Sequence, residues 1–163
     1  MRNCEIRLAL SAGEIQMALR LRREVFVAEQ GMFEQSDADD HDSSSLFLNA
    51  WRSGTILMGT VRCYSDPHEQ GIWWGGRLAV AEKYRLRGVG VYLIEAAVEE
   101  MKRRGAKRFF AKVQEQNVKL FEKLGWQASG DAFLIEEHPH QLMEADLHVN
   151  DEQARKRRLP VRI

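Results

Sequence analysis

The stretch from Arg77 to Val113, RLAVAEKYRLRGVGVYLIEAAVEEMKRRGAKRFFAKV, constrains the fold more than any other part of the chain. It runs from an apolar strand through a basic, glycine-bearing loop into a long amphipathic segment and then a second apolar strand. Apolar residues at Val89, Tyr92, Leu93, Ala96, Ala97 and Met101 form a helical stripe, and Gly105 is a good stop. Glu99–Arg103 and Glu100–Arg104 stand four apart in the favourable Glu-first order. A strand–helix–strand crossover of this kind needs a sheet for its helix to cover.

The remaining segments supply that sheet. CEIRLAL alternates as a first strand, and Ser11 precedes Glu14 at capping-box spacing, opening a helix through IQMALRLRREVFVAEQG that stops at Gly31. LFLNAWR and TILMGTVRCY flank Ser53-Gly54 and read as an antiparallel hairpin. SDPHEQG is a turn, and IWWGGRLAV is a third strand of this group, with Gly75-Gly76 suggesting a bulge. NVKLFEKL is a short helix closed by Gly125, and FLIEEH and QLMEADLHV are the last strands. Hairpins around one crossover predict an α+β sheet with helices on both faces.

A chain of 163 residues suits one domain with a sizeable core. Its formal net charge of zero gives no global field that argues for nucleic acid or an anionic membrane. No apolar run approaches the ~20 residues of a membrane span, and the start lacks the apolar core of a signal peptide, so a cytoplasmic protein is expected. Cys4 and Cys63 are too few for a disulfide framework or a zinc site and are expected as two reduced, packed thiols, which leaves no metal centre in view. EQSDADDHD, from Glu34 to Asp42, is expected as a solvated loop. The domain is taken as residues 1–148, with 149–163 as an extended basic tail containing Arg155 to Arg158.

Gly88 and Gly90 stand at the first turn of the long helix, where unsatisfied amides and the helix dipole favour an anion. Glycine lets a phosphate approach the backbone, and Arg85 and Arg87 add charge, so a pyrophosphate is the natural guest. The spacing lacks the Gly-Lys-Ser/Thr of a Walker loop, and Leu93 occupies the third glycine position of a dinucleotide fingerprint. Arg85-x-x-Gly88-x-Gly90 instead resembles the acyl-CoA pyrophosphate loop of the GNAT (GCN5-related N-acetyltransferase) superfamily. LRREVFVAEQG, VQEQNVKLFEKLGW and HPHQLMEADL extend the likeness over roughly residues 4 to 148. Together with GIWWGGRLAV they are similar to a bacterial subgroup of N-acetyltransferases encoded beside nitrilases.

The resemblance implies a mixed, mostly antiparallel sheet with a central splayed parallel strand pair. The pantetheine arm of acetyl-CoA would pair with main-chain groups of Leu78, Ala79 and Val80. Arg85, Arg87, Gly88, Val89, Gly90 and Val91 would cradle its phosphates, with Asn117 and Phe121 at the thiol end. The reaction implied is direct attack of an amine, here unidentified, on the thioester. Phe121 stands where the family often has a proton-donating tyrosine, leaving Tyr64 as a substitute acid. His140 is the first candidate base and Glu29 the second, while His138 beside Pro139 reads as turn chemistry and His41 with Asp42 as loop or lid.

Trp73 and Trp74 must point to opposite faces of their strand, one to the core and one to the cleft. Arg77 on the same strand is a candidate for an acceptor carboxylate, with a surface salt bridge as the rival role. Three functions stand open: an acetyl-CoA-dependent N-acetyltransferase, a noncatalytic acyl-CoA binder, and an acyl-homoserine-lactone synthase. Neither nucleic acid nor membrane is an expected partner, and a homodimer is compatible with the family.

Overall fold

The computed structural model describes residues 3–148; the stretch Arg155 to Arg158 and the rest of the expected tail lie outside the described residues. In chain order the elements are β1 (Cys4–Leu8), α1 (Ala12–Arg23), β2 (Leu46–Arg52), β3 (Ile56–Ser65), β4 (Ile72–Val80), α2 (Val89–Arg103), β5 (Arg108–Gln114), α3 (Val118–Lys123), β6 (Gln127–Ile135) and β7 (His138–Glu144). The seven strands form one sheet in the order β1-β2-β3-β4-β5-β7-β6. Only β4 and β5 pair in parallel. The crossover through α2 makes that pair possible, because parallel neighbours cannot be joined by a hairpin.

Helices cover both faces. On one, α2 and α3 enclose the main core around Met58, Leu93, Ile94, Met101, Phe109 and Trp126. On the other, α1 brings Leu21, Val25 and Phe26 against Ala79. The α1 face also holds a buried polar relay: the Thr60 hydroxyl donates to Asn49 Oδ1 at 2.7 Å, and Asn49 Nδ2 donates to the Glu14 carbonyl at 3.2 Å. Gly59 lets α2 lie close to the sheet, since a Cβ there would fall 2.8 Å from Leu93 Cδ1 and 3.1 Å from the Ala79 carbonyl.

Local signals were decisive at the ends of elements. The Ser11 hydroxyl accepts the Glu14 N–H, as the capping spacing predicts. Helix α1 then widens into a π-helical turn, Glu24–Glu29, closed by the Gln30 N–H on the Val25 carbonyl. Ser53 and Gly54 both adopt left-handed backbone, the conformation a two-residue hairpin turn requires. Cys4 is half-buried, Cys63 is buried, and both are free thiols. Burial, with a smaller push from Glu100, raises the Cys63 thiol to about 12.

Four expectations need correction. The closing hairpin turns at Glu136-Glu137, so His138, Pro139 and His140 lie in β7 and are not turn residues. Proline is tolerated there because β5 ends opposite His140, leaving Pro139 with a strand neighbour on one side only. The β4 bulge falls at Arg77-Leu78, where Arg77 is left-handed, and not at Gly75-Gly76. Gly75 is needed for packing, because a Cβ would sit 2.8 Å from Phe109 Cζ. On α2, Arg103 and Arg104 both pair with Glu100, while Glu99 takes Lys102 at 3.3 Å. Glu100 wins because it is the more buried carboxylate, where a charge gains most from a partner. Lastly, the acidic loop is solvated only in part: Glu34, Gln35, Ser36, Ala38, Asp39 and Asp40 are exposed, but the loop is anchored from within. Asp37 is buried against Arg22, as described below.

Candidate functional site

The parallel ladder between β4 and β5 runs only from Ile72 opposite Arg108 to Gly75 opposite Ala111. Beyond it, β4 keeps β3 as its neighbour and β5 keeps β7, so the two strands diverge. The extra residue of the Arg77-Leu78 bulge bends β4 away at this point. A cavity of about 330 Å³ opens in the gap, with Leu78, Val113, Asn117, Phe121, Trp74 and His140 among its walls. Leu78, Ala79 and Val80 form the diverging edge.

The N-terminus of α2 lies directly after that edge in sequence. Gly88 has φ 83° and no side chain to cap the helix, whose first turn contains no acid. The first intrahelical bond is the Tyr92 N–H on the Gly88 carbonyl, 3.0 Å, so the amides of Val89, Gly90 and Val91 precede the ladder. Val89 and Val91 bury their side chains, leaving only backbone at the mouth. A Cβ on Gly90 would meet Val80 Cγ2 at an ordinary 3.7 Å, so glycine there is not a packing requirement. Arg87 is exposed. Arg85 donates from Nε to the Val80 carbonyl at 3.0 Å and from Nη2 to Glu29 at 2.5 Å. Glu29, read from the sequence as a base, is thus the partner of a loop arginine.

His140 is buried, with Nδ1 2.8 Å from the His138 carbonyl. A carbonyl only accepts, so the neutral ring carries its proton on Nδ1 and keeps a lone pair on Nε2. Burial, more than the nearby charges of Arg77 and Lys112, holds its pKa below the ordinary value, while the His138 carbonyl opposes the shift. Tyr64 lies on the same cavity, stacked on His41 at 4.0 Å. Burial raises its pKa, so its hydroxyl stays protonated at neutral pH. Phe121 is wedged edge-on against Trp126 at 5.1 Å and contributes no proton. Asn117 stands at the N-terminus of α3.

The two tryptophans divide as expected. Trp73 packs against the main core, while Trp74 lines the cavity and donates from Nε1 to Asp66 at 2.9 Å. Arg77 also lines the cavity, lying over the Phe33 ring at 4.8 Å. Its Nε and Nη2 both donate to the Asp37 carbonyl, at 3.2 and 3.0 Å.

Arg22, Arg62 and Asp39 were missed by sequence reasoning. Arg22 is fully buried, donating from Nε to Asp37 at 2.7 Å and from Nη1 to Asp42 at 2.6 Å. Arg62 grips Asp39 at 2.5 and 2.7 Å and Asp42 at 2.9 Å. Burial alone would raise Asp42, but Arg22 and Arg62 bring it down to about 2. Asp39 is likewise held below its ordinary value by Arg62 and Arg77 against the cost of burial. One signal was available: Ala18, Leu21, Arg22 and Val25 share the spacing of a buried helical face, which puts an arginine inside it. A buried guanidinium demands carboxylates, and the acidic loop holds them.

With this geometry in place, comparison with known proteins is specific. The Acetyltransferase (GNAT) family matches residues 15–126. YyaT of Bacillus subtilis (strain 168) is 26% identical over 148 residues, which is 89% of this chain and 97% of that protein. An acyl-CoA N-acyltransferase from Pseudomonas aeruginosa is similar in structure, with TM-score 0.75 and 25% identity over 88% of this chain and 99% of that one. BjaI, a CoA-dependent acyl-homoserine lactone synthase, shares the fold at TM-score 0.75 and 17% identity, covering 95% of this chain and 87% of its own. The chain belongs to the GNAT acetyltransferase family.

Proposed function

We propose that this GNAT protein transfers an acetyl group from acetyl-CoA to the primary amine of a small molecule, by direct attack within a ternary complex. The observation that carries this function is the divergence of β4 from β5 beside the uncapped start of α2. An unpaired strand edge suits the amides of a pantetheine arm, and the helix start suits its pyrophosphate. The amides of Val89, Gly90 and Val91 then hold the diphosphate, assisted by Arg87, and by Arg85 once Glu29 releases it. A main-chain N–H near Leu78 or Ala79 faces the carbonyl oxygen as it gains charge.

His140 is the base in this mechanism. Nε2 takes a proton from the acceptor ammonium, and the freed amine attacks the thioester carbonyl. The carbon–nitrogen bond forms to give a tetrahedral oxyanion, whose collapse breaks the carbon–sulfur bond. The thiolate leaves with the electron pair, and the nitrogen sheds its surplus proton, which replaces the one the sulfur takes up. Tyr64, protonated at neutral pH, is the candidate donor to that sulfur in place of the family's tyrosine at Phe121. The reaction belongs in the cytoplasm, where CoA thioesters and reduced cysteines coexist.

Phe121 favours a second function, a noncatalytic acyl-CoA binder. Likeness to BjaI is a likeness of fold, and does not by itself argue for lactone synthesis. A CoA-release assay with acetyl-CoA over a panel of primary amines separates the two leading cases. Turnover with at least one amine is expected; tight acetyl-CoA binding without release on any of them would leave only the binder.

A further inference from the structure

We infer that the amine acylated here carries a carboxylate of its own, held by Arg77 with Lys112 beside it, so that the acceptors are amino acids and compounds built like them. This rests on the acyl-transfer function above and names its substrate class.

The cavity contains an unspent set of donors and no unspent acid. Its charged walls are Arg62, Arg77 and Lys112 against the single carboxylate of Asp39. Both Asp39 oxygens are taken: Oδ1 by Arg62 Nη1 at 2.5 Å, and Oδ2 by Arg62 Nη2 at 2.7 Å and Arg77 Nη2 at 3.4 Å. An acceptor ammonium therefore finds no vacant counter-charge there. The donors are different. Arg77 spends Nε and Nη2 on the acidic loop, and among the described residues its Nη1 has no partner. Arg62, behind it, is 4% exposed, and its Nε–H is buried without an acceptor. Lys112 rests over the Trp74 ring at 5.5 Å, without an ion pair among the described residues.

Arg77 is also held in place. The left-handed bulge turns it off the strand, the Asp37 carbonyl grips it, and the Phe33 ring lies 4.8 Å beneath its guanidinium carbon. A fixed guanidinium whose Nη1 keeps its N–H donors free is suited to an oxygen of an anionic carboxylate. Burial first, and then repulsion from Arg62, lower the Arg77 pKa despite Asp39 and Asp37. His140 lines the same cavity as Arg77 and Lys112, so the anion site and the candidate base border one space. That closeness fits an amine near its own carboxylate. Phe26, Met32 and Phe33 complete the cavity with apolar walls for a side chain.

The test compares L-leucine, L-methionine and L-phenylalanine with their carboxamides as acceptors, using the full chain, acetyl-CoA and CoA release. At least one acid should exceed its amide by about tenfold or more in kcat/KM, the discrimination expected when a site's donors lose their partner. Arg77→Gln should bring that ratio close to one, while Arg77→Lys should retain part of it. Equal or better use of the amides by the unaltered protein overturns the inference, as does an undiminished ratio in a folded Arg77→Gln variant.

If Arg77→Gln does not fold, the ratio in the unaltered protein decides alone. If no amine is turned over, calorimetric titration of the CoA-saturated protein with N-acetylleucine and its amide decides instead. Tenfold tighter binding of the acid supports the carboxylate site, and equal binding or none removes it. Failure of the acyl-transfer function itself would show separately, as absence of CoA release with every primary amine of the panel, whether or not acetyl-CoA binds.

Discussion

His140 illustrates how backbone position converts an ordinary residue into a chemical one. Its proton is directed to Nδ1 by the His138 carbonyl, and burial keeps the ring neutral. As the base, it should support full turnover above its ordinary value of 6.5, with activity falling only at lower pH as the ring protonates. His140→Gln should cut kcat by about 10²-fold or more and abolish that acid limb; a pH profile that keeps the limb rules out the assignment. Gly90 offers a clean probe of the phosphate site because a Cβ meets only ordinary contacts. Gly90→Asp should weaken calorimetric acetyl-CoA affinity by at least about tenfold, through bulk and like charge at the helix mouth, while the melting temperature stays near that of the unaltered protein.

At the scale of elements, the acidic loop from Asp37 to Asp42 is secured by ion pairs. Arg22 and Asp37 are both buried, so Asp37→Ala leaves Arg22 Nε–H without its acceptor, with Asp42 still paired, and should cost about 1–3 kcal/mol in denaturant unfolding. A cost within about 0.5 kcal/mol would mean that water reaches Arg22 easily. Asp42 gives the same network a pH window. Its carboxyl falls from 3.8 to about 2 on folding, so its contribution is complete above 3.8 and disappears as pH falls toward 2. Asp42→Asn should therefore flatten the acid side of the stability profile over that window. The π-helical turn ending at Glu29 meets the loop before α2 through Arg85. Glu29→Gln should tighten acetyl-CoA binding by releasing Arg85, whereas weaker binding would show that the pair positions the arginine productively.

Across the described residues, two diverging strands and one helix start border a gap in the sheet, the proposed cofactor site. Filling it should couple binding to global stability. Acetyl-CoA at about 100 times its Kd adds about 2.7 kcal/mol by mass action. For a domain of this size that corresponds to a melting shift of roughly 5–10 °C. The shift should vanish in Gly90→Asp at the same ligand concentration, and an equal shift in that variant would move the binding site elsewhere.

Order and spacing along the chain determined the elements, because capping, helical stripes and turn residues act over a few positions. Ser11 with Glu14, Ser53-Gly54 and the α2 stripe were all legible for that reason. The glycine-bearing start of α2 was legible too, since a helix start depends on local backbone. Tertiary structure alone decided which charges meet. Arg62 lies 23 residues from Asp39, and Arg85 lies 56 from Glu29. The turn of the last hairpin was likewise decided across the sheet, by where β5 ends beside Pro139. Pairing energies depend on distance and burial in space, and a linear pattern contains neither.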